Sequence, residues 1–226
     1  MTARSERGER IERLFTEAAA RFDAGYESRR PSGRLVRARM DAVLDRLGDE
    51  PGAVLDVGMG TGRLCAALEE RGWTAFGLDR TQEMVRLARE RLPHARERLV
   101  RGIAEELPFA AESFDAVVAT GALEYVDDLP RALAEAARVL RPQGRLVASY
   151  PNYRSPSSLV RGKLVYPAAR AVKRIVPLRR SAPIAAVRPW GRAELEQLLA
   201  ATSLALEAVD RVGLLAPQLV VSARKQ

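Results

Sequence analysis

The sequence of 226 residues is poor in the side chains on which many catalytic and metal sites depend. It holds a single cysteine, Cys65, so it can form no internal disulfide and no cysteine cluster for a metal. It also holds a single histidine, His94, which follows a Leu-Pro pair and is expected in a surface loop. The side chain that most often abstracts protons near neutral pH is therefore scarce, and we expect no metal site.

Long hydrophobic runs are missing as well. No stretch approaches the roughly 20 consecutive apolar residues that a membrane-spanning helix needs. The first ten residues are too charged to hold the apolar core of a secretory signal. Because 47% of the residues are hydrophobic, a chain of this length can bury one substantial core. We therefore expect a cytoplasmic protein that forms a single domain.

The net charge of +8 is concentrated in one segment. Residues 151–192 contain ten basic side chains and no acidic one, so the rest of the chain is slightly acidic. Within this segment Leu164, Ala168 and Val172 recur at helical spacing, while basic residues occupy another face. The pattern predicts a basic amphipathic helix.

Short apolar runs alternate with helical patterns along most of the chain. Two helices are predicted first, from Ile11 to Phe22 and from Leu35 to Leu47. Strands are then predicted at 53–57, 74–78, 98–100, 114–119, 144–150, 204–211 and 219–223, and helices at 62–71, 81–92, 129–140 and 192–201. The central apolar runs are continuous rather than alternating, which is typical of parallel strands covered on both faces. The sequence predicts a Rossmann-like, doubly wound α/β fold with seven strands, mostly parallel with an antiparallel C-terminal strand, and helices on both faces.

The strand at 53–57 runs into the loop Gly58-Met59-Gly60-Thr61-Gly62, where glycines allow the backbone to approach a ligand closely. This loop departs from the dinucleotide-binding fingerprint, whose third glycine would fall at Arg63. Asp56 would repel a pyrophosphate but suits the ammonium group of a methionine moiety. Asp79 ends the next strand, where a carboxylate can accept hydrogen bonds from both hydroxyls of a ribose. A nicotinamide-dependent oxidoreductase is therefore disfavoured.

Beyond the loop, further segments occur in the order and spacing of a known family. They are 102–109 (Gly-Ile-Ala-Glu-Glu-Leu-Pro-Phe), 113–117 and 137–146, with a looser match at 189–195. From about residue 50 to 150 the chain resembles the small class I S-adenosylmethionine-dependent methyltransferases with a ubiquinone/menaquinone-methyltransferase-like domain. The resemblance implies S-adenosyl-L-methionine as cofactor and S-adenosyl-L-homocysteine as product.

The resemblance also implies which residues bind the cofactor. Asp56, Gly58 and Gly60 would contact its methionyl end and Asp79 its ribose, while the remaining cofactor-binding residues would be Arg80, Met84, Ile103, Ala104 and Thr120. One departure concerns Ile103, because the family usually has an aspartate there that receives the adenine amino group. That hydrogen bond is either absent or moved to Glu105, and apolar contact of Ile103 with the adenine could offset part of the loss.

In relatives, the loop after the fourth strand faces the transferred methyl group, and a histidine often stands where this chain has Tyr125. Glu124 or Tyr125 could act as a base or orient the acceptor, with helix capping and packing as the alternative role. Because the sulfonium methyl is strongly electrophilic, alignment of the nucleophile and exclusion of water can suffice. The residues predicted to cover the substrate are Phe22, Tyr26, Asn152, Tyr153 and Arg154, with core packing an equal alternative for Phe22.

The resemblance divides the predicted domain 1–226 into an N-terminal helical lid (1–48), a cofactor-binding core (49–150), a basic substrate-recognition insertion (151–190) and a C-terminal helix and strand hairpin (191–226). The predicted activity is methyl transfer to oxygen, nitrogen or carbon of a small metabolite, for example one of secondary metabolism. The alternatives are a lipid or polyprenyl acceptor at a membrane surface, or a catalytically inactive module that binds the cofactor.

The basic insertion has several possible roles. It could cover an anionic or apolar small molecule, contact an anionic membrane peripherally through residues 158–180, or be a solvated helix without a partner. Nucleic acid is disfavoured because the segment has few aromatic residues and no recognised RNA-binding module. The sequence does not indicate the methyl acceptor or the oligomeric state.

Overall fold

A computed structural model describes residues 6–48, 51–152, 155, 192–213 and 218–226 and centres on a seven-stranded sheet. The strands are β1 (Ala53–Val57), β2 (Thr74–Asp79), β3 (Leu99–Arg101), β4 (Phe114–Thr120), β5 (Leu140–Pro151), β6 (Leu204–Val212) and β7 (Gln218–Lys225). Their order is β3-β2-β1-β4-β5-β7-β6. Neighbours are parallel from β3 to β5, whereas β7 pairs antiparallel with both β5 and β6. The predicted fold class is confirmed.

Helices cover both faces of this sheet. They are α1 (Glu6–Glu27), α2 (Pro31–Leu47), α3 (Arg63–Glu70), α4 (Gln82–Arg91), α5 (Leu129–Val139) and α6 (Arg192–Ala200), and short 3₁₀ helices span Pro93–Arg98 and Leu123–Tyr125. One apolar layer joins α2, α3 and α4 to the sheet, and the other joins α5 and α6 to its opposite face. Such a sheet buries both faces of its central strands, which explains the continuous apolar runs of β1 and β4.

The helix α2 lies across the sheet near its middle. Val43 and Leu47, four residues apart on one helical face, are buried against it. The same face continues one turn earlier to Arg39, which is only partly buried. Arg145 of β5 donates hydrogen bonds to the carbonyl oxygens of Arg46 and Leu47, which fastens the end of α2 to the sheet.

Most predicted element boundaries are correct to within two residues. The exceptions are α1, which was expected at 11–22, α2, which was expected to begin at Leu35, and β5. The strand β5 was expected at 144–150, but it begins at Leu140, directly after α5 ends. Leu140 pairs with Phe114 of β4, and the register shifts between Phe114 and Ala116. Because Leu140 pairs with β4, the strand β5 also includes residues 141–143, whose polar sequence resembles that of a loop.

The predicted basic amphipathic helix that includes Leu164, Ala168 and Val172, and with it the segment 158–180 expected to contact a membrane, lies outside the described residues. None of the helices in the described part of the chain is both long and apolar enough to cross a membrane.

Candidate active site

The glycine loop after β1 is bound to the end of β2. The amides of Gly58 and Met59 donate to the carbonyl oxygen of Leu78 at 2.7 and 3.1 Å, and the amide of Gly60 donates to Oδ2 of Asp79 at 2.9 Å. Gly58 has a φ of +79°, and a Cβ there would lie 2.4 Å from the Cβ of Ala122. Glycine is therefore required at position 58, both for the backbone conformation and for the contact with the loop after β4.

A cavity opens above this loop, at the carboxyl ends of β1, β2 and β4. It encloses about 800 Å³ of empty space, a volume that includes its open mouth. Ligands of doubly wound α/β proteins bind at this end of the sheet. Its lining residues are Ile11, Phe15, Phe22, Tyr26, Arg39, Val57, Gly58, Met59, Gly60, Leu78, Asp79, Arg80, Thr81, Met84, Gly102, Ile103, Ala104, Glu105, Thr120, Gly121, Ala122, Tyr125 and Val126.

The structure brings most of the predicted site residues together in this lining. They are Gly58, Gly60, Asp79, Arg80, Met84, Ile103, Ala104, Thr120, Tyr125, Phe22 and Tyr26. Asp56 and Glu124 are not part of the lining, and neither is Asn152, which directly follows β5. Tyr153 and Arg154 lie outside the described residues. The roles of these residues toward a ligand stay predictions.

Asp56 was expected to contact the methionyl ammonium, but the structure places its carboxyl behind the glycine loop. The side chain is 1% exposed, and its Oδ2 accepts a hydrogen bond from Sγ of Cys65 in α3 at 3.6 Å. Burial raises the pKa of Asp56 to about 7, with a further contribution from the charge of Asp79. Asp56 therefore supports the loop from the α3 side of the sheet, where Cys65 is itself fully buried.

Unlike Asp56, the acidic residue Asp79 lines the cavity directly. Its Oδ1 accepts from the amide of Thr81 at 2.8 Å, and its Oδ2 accepts from Gly60. Burial raises the pKa of Asp79, although the hydrogen bonds from Thr81 and Gly60 oppose that rise. Because each carboxylate oxygen can accept more than one hydrogen bond, Asp79 retains the capacity to bind hydroxyl groups of a ligand.

Glu105 was the alternative acceptor for an adenine amino group where Ile103 departs from the family. Its Oε1 already accepts from the amides of Asp127 and Asp128, at 2.5 and 3.3 Å. Glu105 thus joins the segment after β3 to the turn before α5. Ile103 contributes an apolar side chain to the cavity wall.

The helix α1 covers the cavity with aromatic side chains. Phe22 lies over the glycine loop, where a Cβ on Gly60 would be 3.3 Å from its ring. Phe15 packs edge-on against Tyr125 with ring centroids 5.1 Å apart, and Phe22 packs against Tyr26 at 6.1 Å. These contacts place the predicted lid residues Phe22 and Tyr26 over the cavity rather than in the main core.

Polar contacts fasten α1 to the glycine loop and to α4. Asp23 accepts hydrogen bonds from Oγ1 of Thr61 at 2.5 Å and from Nε of Arg63 at 3.0 Å, and it also pairs with Arg91. Although burial alone would raise the pKa of Asp23, these hydrogen bonds and the charges of both arginines hold it below its ordinary value. Asp23 is therefore ionised at neutral pH, and its contacts with Arg63 and Arg91 are ion pairs.

The two predicted catalytic residues differ in position. Tyr125 lines the cavity, and burial raises the pKa of its phenol. Burial also raises the pKa of Glu124, while the nearby charge of Arg39 opposes this. A tyrosine with a raised pKa is protonated at neutral pH, so Tyr125 is a poor base but a good hydrogen-bond donor.

Arg39 is a cavity residue that the sequence reasoning did not assign to the site. Its guanidinium lies against Gly121, where a Cβ would be 2.6 Å from Nη1. Its position could have been inferred from the spacing of residues along α2. Arg39 precedes Val43 by one helical turn and Leu47 by two, so its cation lies on the same face of α2 as these buried residues.

Several buried polar atoms in the cavity wall have no hydrogen-bond partner among the described residues. They are Nε of Arg39, Nη1 of Arg80, Oγ1 of Thr81 and Oγ1 of Thr120. Buried polar atoms are rarely left without partners, so the wall is suited to a polar ligand. With the close-approach glycines and Asp79, these atoms fit a nucleoside that carries an amino acid moiety.

Comparisons with known proteins agree with this geometry. Residues 55–148 match the family model described as a methyltransferase domain. The malonyl-[acyl-carrier protein] O-methyltransferase of Xylella fastidiosa is 34% identical over 174 residues, which are 74% of this chain and 56% of that protein. The biotin biosynthesis bifunctional protein BioHC of Cellvibrio japonicus is 35% identical over 151 residues, 67% of this chain and 28% of that one. The chain thus spans only about a quarter to just over half of these relatives.

Solved structures share the fold. The 1,6-didemethyltoxoflavin-N1-methyltransferase of Burkholderia thailandensis, with its substrate and S-adenosylhomocysteine bound, superposes with a TM-score of 0.67 at 22% identity, covering 100% of this chain and 92% of that one. The ubiquinone/menaquinone subtype stays a prediction. Residues 55–148 therefore belong to a methyltransferase domain, and the sheet order and the cavity at the glycine loop agree with the class I S-adenosylmethionine-dependent type.

Proposed function

We propose that this protein transfers the methyl group of S-adenosylmethionine to a small-molecule acceptor bound under α1. The proposal rests on which residues line the cavity. The glycine loop and Asp79 line one side of the cavity, and the aromatic residues of α1 line another side together with Tyr125. One side suits the polar cofactor, and the other encloses an acceptor and excludes water.

Each residue would then have a defined task. Gly58 and Gly60 allow the backbone to approach the methionyl end, and Asp79 accepts hydrogen bonds from the ribose. Met84, Ile103 and Ala104 enclose the adenine. S-adenosylmethionine, when bound, supplies an electrophilic sulfonium methyl group. Phe22 and Tyr125 keep water away from the acceptor, so that alignment supplies most of the rate enhancement.

The available bases favour an acceptor that is already ionised. Tyr125 is protonated at neutral pH, Glu124 lies outside the cavity lining, and His94 contacts Glu69 on the surface. A carboxylate needs no deprotonation before it attacks a methyl group, whereas an alcohol does. The names of several relatives state O-methyl transfer to malonyl-[acyl-carrier protein], whose malonyl group ends in a carboxylate. We therefore propose O-methylation of a carboxylate.

Methyl transfer can be tested with methyl-labelled S-adenosylmethionine and matched acceptors. The malonyl thioester of N-acetylcysteamine offers a free carboxylate, and its methyl ester has that group blocked. We expect label to pass to the first compound and not to the second. A protein that binds S-adenosylhomocysteine but labels no member of a panel of carboxylates, amines and phenols would instead be an inactive cofactor-binding module.

A membrane-bound lipid acceptor is the second candidate, favoured by the ten basic residues and no acidic ones at 151–192. Cosedimentation with vesicles containing anionic lipid tests it. Binding should fall when Arg161, Lys163, Arg170, Lys173 and Arg174 are made neutral. If the unaltered protein stays in the supernatant at physiological salt, the membrane candidate is rejected.

A further inference from the structure

Asp127 lies between two arginines that come from different parts of the fold. Its Oδ2 is 3.4 Å from Nη2 of Arg80, which follows β2 and lines the cavity. Its Oδ1 is 3.9 Å from Nη1 of Arg7, in the first turn of α1. The amide of Asp127 donates to Oε1 of Glu105 at 2.5 Å, so the backbone that carries this carboxylate is itself held in place. Asp127 thus joins the wall of the cavity to the helix that covers it.

On the cavity side, Asp127 restrains the guanidinium of Arg80 but leaves part of it available. The side chain of Arg80 is 18% exposed and that of Asp127 is 28% exposed, so water screens this pair less than a pair on the open surface. Nη1 of Arg80 is buried and has no hydrogen-bond partner among the described residues. Burial raises the pKa of Asp79 and the charge of Arg80 opposes that rise, so the guanidinium acts at the ribose end of the cavity. A ligand there can accept a hydrogen bond from Nη1.

On the other side, Arg7 fastens the first turn of α1 to the loop after β4. Its Nη1 donates to the carbonyl oxygen of Val126 at 2.6 Å, and its Nη2 donates to that of Glu124 at 3.1 Å. These two carbonyl groups flank Tyr125, whose ring packs against Phe15 about two turns further along α1. The contacts of Arg7 therefore determine how closely this part of α1 covers the cavity.

A second link runs from the backbone of Arg80 to the same helix. Nε of Arg101, at the end of β3, donates to the carbonyl oxygen of Arg80 at 3.0 Å. The guanidinium of Arg101 also pairs with Glu12 of α1. Arg80 is thus joined to α1 twice, through its guanidinium and through its carbonyl group. A ligand that orders Arg80 would therefore also hold α1 in place.

We propose that Asp127 is a positioning residue, which holds Arg80 toward a bound nucleoside and, through Arg7, links the ordering of Arg80 to the closure of α1. Asp127 lies outside the cavity lining, so it acts through Arg80 rather than by touching the ligand. A side chain that is already restrained loses less entropy when it binds. Cofactor binding would then tighten the cover over the acceptor. The proposal rests on the proposed function for the identity of the nucleoside, S-adenosylmethionine or its product.

The first test is a double-mutant cycle in which isothermal calorimetry measures the affinity for S-adenosylhomocysteine. Arg80→Gln and Asp127→Asn should each weaken binding by about two- to tenfold, the range of one net hydrogen bond. Because Asp127 acts through Arg80, the double variant should bind no more weakly than Arg80→Gln alone. Asp127→Glu keeps the carboxylate and should recover part of the affinity. Losses that add up would show that Asp127 acts independently of Arg80 and would overturn the proposal.

Hydrogen exchange tests the link to α1. Saturating S-adenosylhomocysteine should slow exchange in the first half of α1, and this ligand-dependent slowing should shrink in Asp127→Asn and in Arg7→Gln. Arg10→Gln is the matched control, because Arg10 lies on the same helix, carries the same charge and is exposed. It should behave like the unaltered protein. Circular dichroism and thermal melting check that each variant is folded, and Arg7→Gln tests the link if Asp127→Asn is not.

The outcomes also separate this proposal from the proposed function. If S-adenosylhomocysteine binds and slows exchange in α1 equally in the unaltered protein and in every variant, the role of Asp127 is overturned while methyl transfer stands. If binding and slowing depend on Asp127 but no acceptor is ever labelled, the positioning role is supported and methyl transfer is overturned. An unaltered protein that does not bind S-adenosylhomocysteine would overturn both.

Discussion

At the scale of single residues, Asp56 combines an ionisable group with almost complete burial. It is 1% exposed, its Oδ2 contacts Cys65, and its Oδ1 has no partner among the described residues. Because burial raises its pKa to about 7, the folded protein retains a proton at Asp56 that the unfolded chain loses near pH 4. As the pH rises between these two values, the unfolded state binds fewer protons, so the stability of the ligand-free protein should fall.

The isosteric variant Asp56→Asn tests this linkage. It removes the titration, so its free energy of unfolding should change less between pH 5 and pH 8 than that of the unaltered protein. At pH 8 the ligand-free variant should be the more stable of the two, with an upper limit of about 1.4 kcal/mol for each unit by which the pKa is raised. Urea unfolding at both pH values measures the difference. Parallel pH dependences of the two proteins would show that Asp56 is not the titrating group.

Tyr125 allows a test of the base-free mechanism. Its ring packs edge-on against Phe15, and Tyr125→Phe preserves that contact while it removes the hydroxyl. If the phenol only donates a hydrogen bond, kcat for a carboxylate acceptor should fall by less than about tenfold, since a net hydrogen bond contributes about 0.5–1.5 kcal/mol. Tyr125→Ala, which also removes the ring, should lose more. A loss of about a thousandfold or more in Tyr125→Phe would instead indicate a base.

At the scale of elements, α1 is held by side chains that the glycine loop and α4 supply. Asp23→Asn should weaken the contacts with Thr61, Arg63 and Arg91 without altering the main core. We expect faster hydrogen exchange in α1 and faster release of S-adenosylhomocysteine, with little change in melting temperature.

Glu9→Gln is the matched control for this variant, because Glu9 lies on the same helix and pairs with Arg13 at the surface. Exposed pairs of this kind contribute little, so exchange and release should not change. If Asp23→Asn and Glu9→Gln behave alike, α1 is not fastened through Asp23.

Elements could be predicted well because their signals are local. The apolar runs of β1 and β4 and the amphipathic pattern of α5 are set by nearest neighbours, and Asp128 caps α5 by accepting from the amide of Arg131. The start of β5 could not be predicted in this way. Leu140 enters the sheet by pairing with Phe114, a residue 26 positions earlier, and no local pattern encodes that partner.

The same distinction applies to the site. The glycine loop and Asp79 could be predicted because closely spaced glycines after a strand, and an acid at the end of the next strand, are local patterns that the sequence shows directly. The burial of Asp56 behind the loop depends on the packing of α3, and the entry of Arg39 into the cavity depends on the packing of α2. Both are consequences of tertiary contacts, although an arginine on the apolar face of α2 was a usable signal.

At the scale of the whole molecule, the cavity lies where separate parts of the fold meet. The strands β1, β2 and β4 provide its floor, α1 covers it, and α2 sends Arg39 into it. A ligand in the cavity therefore contacts segments that are far apart in the sequence. Binding should stabilise the folded state as a unit, because the unfolded chain offers no such site.

Because a bound ligand stabilises the folded state, thermal unfolding can distinguish a cavity that binds S-adenosylmethionine from one that binds a nicotinamide cofactor. At a concentration of S-adenosylhomocysteine about 100 times its Kd, the folded state should gain about 2.7 kcal/mol. For a chain of this size, that gain corresponds to a rise in Tm of roughly 5–10 °C. NADH at the same concentration should leave Tm unchanged, because Asp79 places a carboxyl group in the cavity lining beside the glycine loop and opposes a pyrophosphate. A rise with NADH and none with S-adenosylhomocysteine, measured by differential scanning calorimetry, would contradict both the proposed cofactor and the role given to Asp79.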